Sequence, residues 1–135
     1  MDKRRSLEQH RRLFALLNST YAHWPENHRF QPENEEHLRA WLLIRAKHCT
    51  IKSFYMDGDA SENARLIPFV MATMTGKHAW ARAKGNELQV CVANSIAFDK
   101  CPHELFCKLC DDIAADIKNE TGMDADELLR ARDAA

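Results

Sequence analysis

Three features of the sequence predict an α+β fold, with about four to five helices packed on a small, mostly antiparallel three-stranded sheet. Several long stretches carry apolar residues at spacings of three and four, and three short stretches alternate with period two. A Gly-Asn pair separates two of the alternating stretches as a hairpin turn does. The 135 residues are 45 % apolar and 29 % charged, which suits an ordinary globular domain able to bury about two-thirds of its unfolded surface around one core. No repeat, low-complexity tract or linker divides the chain, so one domain over 1–135 is expected.

The first helix follows a basic segment. Ser6 and Gln9 have the spacing of a capping box, and Leu7, His10, Phe14, Leu17, Tyr21 and Trp24 form one apolar stripe. Pro25-Glu26-Asn27 and the residues up to Pro32 read as a polar loop anchored by Phe30. A second helix is expected from near Asn34 to about Lys47, with Glu35 and Glu36 in the first turn, where the macrodipole favours acids. Leu38, Trp41, Leu42 and Arg45 share its face, widened by Leu43 and Ile44.

Thr50 to Met56 alternates and reads as a strand, followed by a turn at Asp57-Gly58-Asp59. The third helical region, Ser61 to Thr75, should break or restart at Pro68, whose ring clashes with the preceding turn; Gly76 ends it. Lys77 to Lys84 and Leu88 to Asn94 form a hairpin around Gly85-Asn86. Pro102 suits the first position of a fourth helix that reaches about Thr121 and stops at Gly122. Its inward face is Phe106, Leu109, Cys110, Ile113 and Ile117. Asp124 and Glu127 form another capping box that opens a short last helix.

Net charge of −1 gives no overall attraction to nucleic acid or membrane. The distribution is uneven: five Lys or Arg stand against two acids in the first twelve residues, whereas Asp111 to Asp133 is acidic. No apolar run has the length of a membrane span and none follows the basic N-terminus as a signal would, so a cytoplasmic protein is expected. The five cysteines are odd in number and read as free thiols of a reducing compartment.

Cys101-x5-Cys107-x2-Cys110 with His103 contains one Cys-x-x-Cys, a weak zinc signal without a second pair. Asp57 and Asp59 are explained by their turn. No nucleophile elbow, P-loop, dinucleotide fingerprint or paired-histidine spacing is present, so the chain reads as non-enzymatic, without metal or cofactor. Two basic features stand out. Arg4, Arg5, Arg11 and Arg12 crowd a helix start that already favours anions, which points to an anionic partner such as phosphate. The plainer alternative is a solvated basic end with Glu8 and Arg12 paired. In the hairpin, His78, Trp80, Arg82 and Lys84 project from one face and Ala79, Ala81 and Ala83 from the other. A ring among cations is how single-strand binders stack bases and follow phosphates. The alternative packs Trp80 on a cross-strand Val90 or Val92.

Arg5-Ser6-Leu7-Glu8-Gln9-His10-Arg11-Arg12-Leu13-Phe14 resembles the Arg-Ser-x-x-Gln-Asn-Arg opening of small phage proteins of the NinB recombination group, with His10 in place of Asn. Trp24-Pro25, His37 to Leu42 and Ser95 to Lys100 look like uncharacterised small prophage proteins. The first resemblance implies a dimeric accessory protein of recombination or replication that binds single-stranded DNA or the host single-strand binding protein, carried by Arg5, Ser6, Gln9 and Arg11. The leading expectation is therefore a nucleic-acid-binding protein acting through Arg4, Arg5, Arg11, Arg12, Trp80, Arg82 and Lys84. The alternative is a protein-interaction module or phage-encoded inhibitor that binds a host protein, which the acidic C-terminal region favours. Wide apolar faces on the first two helices predict a homodimer built partly on them.

Overall fold

The computed structural model describes residues 3–97 and 101–134, with side chains described from 7 to 97 and from 101 to 132. Its elements are α1 (Lys3–Ala22), α2 (Glu35–Arg45), β1 (Cys49–Tyr55), α3 (Ser61–Thr75), β2 (Ala79–Lys84), β3 (Glu87–Ala93), α4 (His103–Thr121) and α5 (Ala125–Ala134). Five helices and a three-stranded antiparallel sheet make the fold α+β. The chain groups into two compact units, Met1–Leu42 with Ser95–Ala135, and Leu43–Asn94. Within the sheet unit α3 packs on β2 and β3, and within the other unit α1 packs with α4 and α5. Among the described residues no helix is long and apolar enough to cross a membrane.

In the helical unit α1 packs against α4 and α5. Its buried positions are Leu13, Leu16, Leu17, Ser19 and Thr20, and those of its packing partners are Phe106, Leu109, Ile113 and Ile117 of α4 and Leu128 of α5. This seam is rotated from the expected stripe, and Leu7 and Tyr21 are exposed. Because α1 spans Lys3–Ala22, position 6 lies inside the helix, and the side chain of Ser6 lies outside the described residues. Two hydroxyls sit in this core with their bonds satisfied: Ser19 Oγ donates to the Leu128 carbonyl at 2.6 Å and Thr20 Oγ1 to that of Leu16 at 2.7 Å.

The 23–34 loop is held by rings. Phe30 stacks on Trp41 with centroids 4.6 Å apart, and the Trp24 indole donates to the Phe30 carbonyl at 2.7 Å. Asn34 caps α2 by accepting the His37 N–H at 2.8 Å. Of the apolar seam expected to join two copies, Leu17, Leu42 and Leu43 are buried within the chain, whereas Leu7 and Tyr21 are exposed.

In the sheet unit the strand order is β1-β3-β2. Gly85 has φ 62° while Asn86 keeps a negative φ, the pattern of a type II′ turn. The turn also anchors the entry to α3, through Met56 N–H to the Asn86 carbonyl and Ala60 N–H to that of Gly85, both 2.9 Å. α3 runs unbroken through Pro68, against the expected interruption. Packing of α3 on β2 and β3 holds the helix where local propensity would break it. On α4, Pro102 stands just outside the helix as its cap, and Cys110 is half-buried rather than fully inside.

Candidate nucleic-acid interface

Register decides which side chains share a face of the sheet. Thr50 pairs with Val92 and Val92 with Ala79; Lys52 with Val90 and Val90 with Ala81; Phe54 with Leu88 and Leu88 with Ala83. Directly opposite residues project on the same side. Val90 and Val92 line one groove with Ile67 and Met71 of α3, so the alanines lie on the helix-covered side. Their small size lets α3 approach β2, as the sequence suggested.

The other side carries Ile51, Ser53 and Tyr55 from β1, Glu87, Gln89 and Cys91 from β3, and Trp80, Arg82 and Lys84 from β2. Trp80 stands opposite Cys91, because Val90 and Val92 project from the opposite face; the cross-strand neighbours expected for it are replaced. Trp80 is half-buried, whereas Arg82 and Lys84 are exposed. Tyr55 is 74 % exposed and Ile51 58 %. The rows are tied by side chains. Arg82 Nε donates to Gln89 Oε1 at 2.5 Å, and the Tyr55 hydroxyl donates to Glu87 Oε2 at 3.2 Å. Burial pushes the Cys91 thiol up to about 12, helped by a hydrogen bond with Cys49. Arg82 and Lys84 outnumber Glu87, so the charge of this face is net positive.

The α1 cluster is described in part. α1 has no acid in its first turn, as expected. The side chains of Arg4 and Arg5 lie outside the described residues. Arg11 is exposed. Arg12 forms an exposed ion pair with Asp126 of α5 at 3.2 Å, which offsets part of its charge. Of the anticipated residues, register brings Trp80, Arg82 and Lys84 together with Tyr55 and Ile51. Those two were visible as strand residues, but their face was not.

The cysteines of α4 border a cleft of about 330 Å³ lined by Gln9, Arg12, Cys107, Cys110 and Asp111. Cys107 Sγ lies 3.3 Å from His103 Nε2 and 3.7 Å from Gln9 Oε1. His103, Cys107 and Cys110 do not bring three ligand atoms within 4.8 Å of one another. Desolvation raises the Cys110 thiol to about 11, with Cys107, Asp111 and Cys101 adding to it. That is the opposite of an activated nucleophile.

No protein-family model matches the chain, and neither a curated protein nor a solved structure shows significant similarity to it.

Proposed function

We propose that the protein binds single-stranded nucleic acid, preferably DNA, on the uncovered face of its sheet, as a non-enzymatic accessory protein of the phage type acting in recombination or replication. The observation that carries this reading is Tyr55. Its ring is 74 % exposed on the same face as Arg82 and Lys84. A folded protein gains nothing by leaving an aromatic ring in water, whereas a base stacked on that ring gains about 1–3 kcal/mol. The flanking cations supply phosphate contacts, and α3 packs on the other side of the sheet. The arginines of α1 belong to the same reading as further phosphate contacts.

Titration of a fluorescent single-stranded oligonucleotide at several salt concentrations tests the proposal. Binding should weaken with salt, with a log–log slope of about −0.7 per neutralised phosphate. Tyr55→Ala should lower affinity by about 1–3 kcal/mol at unchanged slope, and Lys84→Ala should reduce the slope by about 0.7. Absence of binding at low salt rejects the reading.

A further inference from the structure

Cys49 and Cys91 lie far apart in the sequence, and the register of the sheet brings them together. Cys49 pairs with Ala93 and Ile51 with Cys91. The two cysteines therefore stand diagonally across the β1–β3 ladder, on the face that bears Trp80, Arg82 and Lys84. Both are half-buried free thiols, and a hydrogen bond joins their side chains. Trp80 lies directly opposite Cys91. The Arg82 guanidinium is close enough to favour a thiolate at Cys91, against the burial that disfavours it.

Two thiols in contact can close a disulfide or share a metal ion, and the spacing separates these outcomes. Diagonal residues of an antiparallel pair have Cα atoms about 7–8 Å apart, whereas a disulfide seldom spans more than about 6.8 Å. Closing the S–S bond would need backbone movement, which the ladders on both sides of the central β3 oppose. A bridging ion removes the mismatch. It inserts two metal–sulfur bonds, each about 2.3 Å in zinc thiolates, where a disulfide has one bond of about 2.05 Å. We infer that Cys49 and Cys91 form a two-thiolate site for a soft monovalent d10 cation of the copper(I) class.

The donor set selects the ion. Thiolates prefer soft metals, whereas calcium and magnesium take oxygen ligands. Structural zinc takes four ligands, and among the described residues no third His, Cys, Asp or Glu ligand atom lies within 4.8 Å of both sulfurs. A d10 monovalent ion is satisfied by two thiolates in line. Binding exchanges protons for the ion: two thiols and one M⁺ give an S–M–S unit of charge −1 and two H⁺, with no change of oxidation state. The ion cancels one of the two thiolate charges, which relieves the desolvation that keeps Cys91 protonated without it. Arg82, on the same face, opposes the charge that remains. The site stands whether or not this face also binds nucleic acid.

Anaerobic titration of the full chain with copper(I), in competition with bathocuproine disulfonate, tests the site. The wild type should take up the ion with a thiolate-to-copper absorption band and with quenching of tryptophan emission. Trp80→Phe should still bind copper(I) but lose that quenching, because Trp80 faces Cys91. Cys49→Ser and Cys91→Ser should each lower the affinity at least about a hundredfold, since loss of an outer-sphere partner alone costs a metal site roughly 10–100-fold. Cys107→Ser should leave the quenching and its midpoint unchanged. Circular dichroism checks the fold of each variant, and either serine variant alone suffices for the test. Absence of copper(I) uptake by the wild type overturns the inference, as does wild-type affinity in a folded Cys49→Ser or Cys91→Ser. So does quenching that disappears in Cys107→Ser, or a Cys49–Cys91 disulfide formed by mild oxidation of the folded protein. Oligonucleotide affinity is measured separately in metal-free buffer, so failure here is distinct from failure of nucleic-acid binding.

Discussion

His28 Nε2 lies 2.5 Å from Glu120 Oε2, joining residues 92 apart in the sequence. The other ring nitrogen, Nδ1, accepts the Phe30 N–H at 2.9 Å. An imidazole nitrogen that accepts has its lone pair free, so Nε2 carries the proton and donates to the carboxylate. One ring thus ties the 23–34 loop both to itself and to the end of α4. The two side chains are 9 % and 15 % exposed, so the bond is shielded from competing water.

Removing one partner should therefore be costly. Glu120→Ala leaves the His28 N–H without an acceptor and should destabilise the protein by about 1–3 kcal/mol in urea unfolding. Glu120→Gln keeps an acceptor oxygen and should lose less. Equal losses for the two variants would show that the bond contributes little.

Pro68→Ala should stabilise the protein. Alanine restores the N–H that bonds the Ala64 carbonyl and removes the ring clash, a local gain of up to ~3 kcal/mol. Lost rigidity of the unfolded chain takes back about 0.4–1 kcal/mol. A net gain of about 2 kcal/mol is expected, read as a higher urea midpoint at unchanged slope. A decrease would mean that α3 needs the proline for its packing on the sheet.

The raised thiols at Cys91 and Cys110 make a chemical prediction. With values of about 12 and about 11, they are almost entirely protonated at neutral and mildly alkaline pH. The thiolate is the nucleophile. Brief native alkylation with iodoacetamide, followed by peptide mass spectrometry, should leave both unmodified, and denaturation should expose both. Rapid native labelling of either would contradict the burial described for it.

Asp124 opens α5 by accepting the Glu127 N–H at 2.9 Å, which holds its carboxyl below the usual carboxylate range. A lowered value means that folding favours the charged form. The contribution is present above the unfolded value of about 3.9 and is lost as pH falls through the lower folded value. Asp124→Asn keeps the cap oxygen and should remove this acid-side loss while leaving helix content at neutral pH unchanged. A variant with the same acid profile as the wild type would assign the loss to other groups.

The periodicities of the sequence were enough to locate eight elements, the hairpin around Gly85-Asn86 and the stop at Gly122, because each depends on neighbours within about five residues. The alternation that sets Trp80, Arg82 and Lys84 on one face, with alanines on the other, is equally local. Pairing is not. Trp80 meets Cys91, and Tyr55 joins the basic face, only because β1 and β2 pair with β3 in one register; a shift by one residue would send each side chain to the opposite side. The rotation of the α1 seam to Leu13, Leu16 and Leu17 was likewise decided by distant partners, α4 and α5. So was the persistence of α3 through Pro68. A chain declares its local conformations through short-range sterics and hydrogen bonds, but the face it buries depends on what it packs against.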